Sequence, residues 1–148
     1  MKIKIYTDGS CLGNPGAGGY AAILIDENGH CEEICGGESF TTNNRMELTA
    51  AIVALKKISE DDVAEIFTDS TYLRNAFTQN WLENWKRKGW RLSNGKAVKN
   101  IDLWTELDEL ISTRNVKFNW VRGHAGDLLN ERCDKLAHDT AKKFSLHL

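Results

Sequence analysis

The 148-residue sequence predicts an α/β fold: a mixed five-stranded sheet, three antiparallel strands followed by parallel ones, with helices on both faces. Three observations predict it. The first forty residues are strand-like runs broken by glycines and by Asn28-Gly29, a hairpin signal. Beyond them the apolar period becomes helical, with Leu48, Ala51, Ile52, Leu55 and Ile58 on one stripe. Strands and helices then alternate, and strands joined through helices run parallel.

In order, residues 2–8 read as a strand, 9–19 as a glycine-rich turn, and 20–26 and 31–40 as two strands completing an antiparallel meander. A helix is predicted over 43–59, with Thr41 to Asn44 supplying cap candidates. Residues 63–69 read as a strand, 71–79 and 81–88 as short helices, and 91–100 as a polar loop. A helix over 101–112 carries Leu103, Trp104, Leu107 and Leu110, and a strand over 116–121 leads to a last helix over 130–143. One domain, residues 1–148, is expected, since the lone proline, Pro15, and the absence of low-complexity segments leave no linker. A chain of this size buries roughly 70% of its unfolded surface, enough for a core without disulfides.

Composition narrows the function. The four cysteines, Cys11, Cys31, Cys35 and Cys133, lack the paired Cys-x2-Cys spacing of zinc sites and read as free thiols of a reducing, cytoplasmic compartment. The N-terminal Met1-Lys2-Ile3-Lys4-Ile5 shows no signal-peptide core, and no apolar stretch approaches the ~20 residues of a membrane span. Net charge is −2 but unevenly spread. From Ser70 to Asn100, Arg74, Lys86, Arg87, Lys88, Arg91, Lys96 and Lys99 face the single acid Glu83, a net +6 that leaves −8 for the rest. Trp81, Trp85 and Trp90 interleave these cations. That mixture is either a solvated face over a local aromatic core or a surface for a polyanion with rings and sugars. No long apolar surface stripe is evident, so a monomer is expected.

Two near-copies of one phrase, Ile5-Tyr6-Thr7-Asp8-Gly9-Ser10 and Ile66-Phe67-Thr68-Asp69-Ser70-Thr71, each end an apolar run at a carboxylate. Strands reaching an open sheet edge look like this, and such edges bind ligands. If the two strands are parallel neighbours, Asp8 and Asp69 meet. Glu47 is expected in the first turn of the first long helix and Asp134 in the second turn of the last. Each acid has a plainer reading: Asp8 as a turn-former, Asp69 as a helix cap, Glu47 as the partner of Asn44 in a capping box. Gathered together, they form an oxygen-only cage suited to Mg²⁺ or Mn²⁺. A pair of such ions ~3.5–4 Å apart activates water on one side of a phosphodiester and stabilises the leaving oxygen on the other. His124, in the glycine-flanked loop Gly123-His124-Ala125-Gly126, is either an exposed bystander or a group of pKa ~6.5 able to carry a proton near neutrality.

The segments Thr7-Asp8-Gly9-Ser10-Cys11-Leu12-Gly13-Asn14-Pro15-Gly16, Thr42-Asn43-Asn44-Arg45-Met46-Glu47-Leu48, Thr68-Asp69-Ser70, Trp81-x3-Trp85-x4-Trp90, Val98-Lys99-Asn100, Gly123-His124-Ala125-Gly126 and Asn130-Glu131-Arg132-Cys133-Asp134 resemble, in this order, ribonuclease H of the bacterial type 1 family, over nearly the whole chain. The resemblance implies the ribonuclease H-like fold. It also implies a metal-dependent endonuclease that cuts the RNA strand of an RNA/DNA hybrid by a two-metal-ion mechanism, leaving 5′-phosphate and 3′-hydroxyl ends. It implies Asp8, Glu47, Asp69 and Asp134 as ligands of Mg²⁺, with Mn²⁺ as a substitute, and His124 as an aid to proton transfer or product release. Cys11, Asn14, Asn43 and Asn44 would touch the groove, and Thr42 and Asn100 would grip a DNA phosphate. Residues 81–100 would form a basic handle in which Trp81, Lys86, Lys88, Lys96 and Lys99 hold the DNA strand, with Trp85 the more structural tryptophan. Thr71 stands where many relatives carry glutamine, and Asp127-Leu128-Leu129 replaces a more polar segment after the histidine loop. The hybrid-binding module that some relatives carry in front is expected to be missing. DNA strand transfer and catalysis-free hybrid binding are the competing readings; the handle with Asn43-Asn44 weighs against the first, the full acid set against the second.

Overall fold

Strand β1 (Lys2–Leu12) is the centre about which the chain is arranged, because it is hydrogen-bonded on both sides and covered on both faces. It pairs antiparallel with β2 (Gly16–Ile25), which pairs antiparallel with β3 (Cys31–Thr41). Helix α1 (Asn43–Lys56) then crosses back, so that β4 (Val63–Thr68) joins the other side of β1 in parallel. Helices α2 (Thr71–Thr78), α3 (Trp81–Arg87) and α4 (Ile101–Thr113) lead to β5 (Asn115–Trp120), parallel to β4, and α5 (Leu128–Ser145) ends the chain. The sheet order is β3-β2-β1-β4-β5. The computed structural model describes residues 1–122 and 127–145.

Two cores sandwich the sheet. Successive β1 side chains point to opposite faces, and both faces are apolar because both are covered. Ile5 joins Leu48, Ile52, Leu55, Ile66, Trp104 and Leu107 in the larger core, whereas Tyr6 joins Ala21, Ile23, Cys133 and Ala137 beneath α5. All four cysteines are free. Among the described residues no helix is long and apolar enough to cross a membrane.

Several boundaries depart from expectation for identifiable reasons. β1 does not stop at Asp8 but runs to Leu12, and the turn predicted over 9–19 shrinks to residues 13–15. Its glycines serve close packing: a Cβ on Gly18 would lie 2.4 Å from Thr41 Cγ2, and one on Gly19 would lie 2.3 Å from the Ala137 carbonyl oxygen. The β2–β3 loop closes around Asp26, whose Oδ1 accepts from the Asn28 and His30 amides at 2.9 and 3.0 Å, with Gly29 at φ 83°. α1 ends at Lys56 rather than Ser59. α5 begins two residues early at Leu128, where Asp127 Oδ1 accepts from the Leu129 and Asn130 amides.

The basic arm is α3 plus a loop folded back on itself, with an Arg91–Ala97 bridge and Val98 buried. Its root is aromatic. Trp85 contacts the rings of Trp81, Trp90 and Trp104, the last edge-on at 5.5 Å, while Trp81 also meets Tyr72, and all three tryptophans pack against the larger core.

Candidate active site

The register of the two parallel strands brings the duplicated phrase together. Tyr6 lies opposite Phe67, so two residues further along Asp8 and Asp69 stand side by side. Asp8 reaches the sheet edge because β4 ends at Thr68 while β1 continues beside β2 alone. It thus meets the site where its neighbour ends, not where its own strand does.

Gly9 brings the helix in. A Cβ there would lie 2.6 Å from the Glu47 amide nitrogen and 2.7 Å from the Met46 carbonyl carbon, so α1 rests backbone to backbone on β1. The Gly9 amide donates to both Asp8 Oδ1 at 2.9 Å and Glu47 Oε1 at 3.1 Å. Thr42, not Asn44, caps α1 by accepting from the Arg45 amide at 3.2 Å, so Glu47 lies in the second turn rather than the first and belongs to no capping box. Likewise α2 is capped by Ser70, whose Oγ accepts from Leu73, and not by Asp69.

Candidate ligand oxygens of Asp8, Glu47 and Asp69 all lie within 4.8 Å of one another. Asp134, exposed in the second turn of α5, lines the same depression of about 350 Å³ with Gly9, Asn43, Asn44, Ser70, Thr71 and Tyr72. Its helix is fixed by Cys133, whose thiol donates to the carbonyls of Tyr6 and Ala21 at 3.4 and 3.2 Å.

The electrostatics are those of anions held together. Asp8 is 4% exposed, and burial, then the charges of Asp69 and Asp134, push its carboxyl up to about 7. Burial and the neighbouring Asp8 raise Glu47 well above the usual carboxylate range. Among the described residues no lysine or arginine lines the depression, and none gives Glu47 Oε2, which is buried, a hydrogen bond. An oxygen-only donor set of clustered carboxylates fits a hard divalent cation that keeps waters and accepts phosphate oxygens.

Apart from Cys11 and His124, the other predicted residues fall into three places. Asn43 and Asn44 line the acidic depression. Asn14, Thr42, Lys99 and Asn100 meet in a second one of about 180 Å³ that shares Asn44. Trp81, Lys86, Lys88 and Lys96 lie on the arm, where Lys86 pairs with Asp108 at 3.3 Å. The Cys11 thiol points inward, donating to the carbonyls of Gly16 and Thr41. His124 lies outside the described residues. The sequence assigns no role to Tyr72 or Arg45. Tyr72 Oη accepts from Trp104 Nε1 and Asn100 Nδ2, and Arg45 donates to Asn100 Oδ1 while pairing with Asp102 at 2.7 Å. An aromatic and an arginine on helices near a basic arm carry no sequence signal for such a network.

This fold and acidic edge define the class of phosphodiester-processing α/β proteins that work with divalent metal. The RNase H family model matches residues 1–142. A Ribonuclease H of Pseudoalteromonas atlantica is 53% identical over 97% of this chain and 93% of its own length. One of Acetivibrio thermocellus is 53% identical over 97% of both chains. Among solved structures, LC9-RNase H1, described as a type 1 RNase H with the type 2 active-site motif, superposes with a TM-score of 0.82 at 32% identity, covering 96% of this chain and 72% of that one. The structure of LC11-RNase H1 in complex with RNA/DNA hybrid shares the fold, with a TM-score of 0.70 at 24% identity over 95% of this chain and 97% of that one. The chain belongs to the ribonuclease H family.

Proposed function

We propose that this chain is a single catalytic domain hydrolysing the RNA strand of RNA/DNA hybrids to 5′-phosphate and 3′-hydroxyl ends, with Mg²⁺ as the cofactor and Mn²⁺ as a substitute. The observation that carries the reading is the clustering of the Asp8, Glu47 and Asp69 carboxylates within 4.8 Å, with Asp134 on the rim of the same depression. These four residues would hold the metal. When bound, the metal supplies charge neutralisation, a more acidic water and stabilisation of the leaving oxygen. The Gly9 amide donates to one oxygen each of Asp8 and Glu47, which fixes how both carboxylates face the depression.

Strand selection rests on the polar residues beside the acids. Asn43 and Asn44 offer amide groups to 2′-hydroxyls, which only RNA displays across a wide minor groove. The neighbouring depression presents donors. Asn14 Oδ1 is occupied by the Asn43 amide and Thr42 Oγ1 by the Arg45 amide, so the Asn14 Nδ2 and Thr42 hydroxyl hydrogens remain to donate. Asn100 keeps one Nδ2 hydrogen beyond its bond to Tyr72, and Lys99 adds a charge. Four such groups suit a DNA phosphate. Cys11 reaches the groove through its backbone, residues 81–100 act as the handle, and His124 carries a proton or assists release. The enzyme works as a cytoplasmic monomer.

A hybrid with separately labelled strands tests the reading. RNA cleavage only in the presence of Mg²⁺ or Mn²⁺, with a loss of at least about 10²-fold in Asp69→Asn, is expected. Equal cutting of double-stranded DNA, or unchanged turnover in Asp69→Asn, would overturn it.

A further inference from the structure

Beyond Asp69, on the flank away from Asn44, lies a second cavity of about 250 Å³ that shares Asp69, Ser70 and Thr71 with the acidic depression. It opens where β4 and β5 end at the same level, Thr68 being registered with Trp120. A crevice outside the carboxyl ends of parallel strands is where open α/β sheets take ligands. Its other walls include Arg74 of α2 and, after β5, Arg122.

These arginines differ from others in the molecule. Arg45 and Arg132 each form a two-pronged pair, with Asp102 and Glu33. Arg74 and Arg122 are exposed, and among the described residues neither guanidinium takes part in an ion pair or hydrogen bond. Ser70 Oγ accepts from Leu73, which leaves its own hydrogen to donate, and the N-terminal end of α2 adds positive potential. A guanidinium fork beside a hydroxyl donor matches the oxygens of a phosphate. The charge contrast sharpens this: the shared wall divides a depression of carboxylates from one carrying two cations.

We infer that Arg74 and Arg122 form a phosphate subsite for the strand being cut, holding an RNA phosphate that flanks the scissile one. The inference rests on the hybrid-cleavage reading. There the DNA backbone is assigned to the Asn44 flank, so a phosphate on the Asp69 flank belongs to the other strand. A scissile phosphate drawn to the acids through metal leaves its neighbour next to those same acids. Arg74 and Arg122 supply the countercharge that the neighbour needs.

The test pairs Arg74→Gln, Arg122→Gln and the double variant with hybrids in which single RNA phosphates are replaced, one position at a time, by a neutral methylphosphonate. Binding is read by fluorescence anisotropy in Ca²⁺, and KM and kcat in Mg²⁺. Each single variant is expected to weaken binding about fivefold to tenfold, to raise KM more than it lowers kcat, and to flatten the salt dependence by about one phosphate contact. One methylphosphonate position within a few nucleotides of the cut should weaken wild-type binding comparably yet cost the double variant nothing further. Variants that bind like wild type, or losses that add at every phosphate position, would overturn the subsite while wild-type cleavage of the hybrid still stands. Absence of hybrid cleavage by the wild type would overturn both readings.

Discussion

Asp8 carries the sharpest tension in the molecule, a carboxylate 4% exposed beside two other acids. Its carboxyl is raised from 3.8 to about 7 by burial first and by Asp69 and Asp134 next. Between those values the folded protein binds more protons than the unfolded chain, so metal-free stability falls as pH rises through the window and levels off above it. Divalent metal competes with the same protons and therefore binds more tightly as pH rises. Thermal unfolding from pH 4.5 to 8.5 should show the melting temperature declining in chelator and the Mg²⁺-induced shift growing. A Mg²⁺ response independent of pH would contradict the residue-level picture.

At the scale of elements, the site exists because α1 lies directly on β1 at Gly9. Gly9→Ala would place a methyl 2.6 Å from the Glu47 amide nitrogen, where backbone, not a flexible side chain, must move. The expected cost is about 1–3 kcal/mol of stability, measured by urea unfolding, together with a fall in kcat larger than the fall in the corresponding Gly29→Ala enzyme. A Cβ on Gly29 would meet nothing within 4 Å, and the strain of an alanine at φ 83° stays in the β2–β3 loop, away from the acids. A contact of this kind, backbone on backbone, leaves no pattern in the sequence. The paired Ile-x-Thr-Asp phrases and the helical stripe from Leu48 to Ile58 gave the parallel β1–β4 pair and α1, because burial on both faces leaves a plain apolar signal. The extension of β1 to Leu12 leaves no strand signal, since Gly9, Ser10 and Cys11 are small and pair only with β2, which the hairpin brings to them. The sequence puts Glu47 one turn early because Asn44 and Thr42 are both good caps, and only the Thr42–Arg45 bond decides between them. Tyr72 and Arg45 act through Asn100, a contact made across the fold.

For the whole molecule, charge separation sets how a polyanion approaches. The window from residue 70 to 100 carries +6 on a chain of −2, so hybrid affinity should fall steeply with salt, with a log–log slope losing about one unit for each phosphate-contacting cation removed. The lysines are not equivalent. Lys86 is tied to Asp108 and lies 3.8 Å from Glu83, so Lys86→Gln should change the slope less than Lys88→Gln or Lys96→Gln. Equal effects of all three, or a flat salt dependence, would remove the arm from the binding surface.

Thermal unfolding of Asp8→Asn against wild type at pH 8, with and without Mn²⁺, tests most directly whether clustered anions are stabilised in the fold by metal. Removing one charge from a repelling set should raise the melting temperature in chelator by a few degrees, at roughly 2–4 °C per kcal/mol for a chain of this size, while abolishing the Mn²⁺ shift seen in wild type. A variant that melts lower than wild type in chelator and still responds fully to Mn²⁺ would contradict the account.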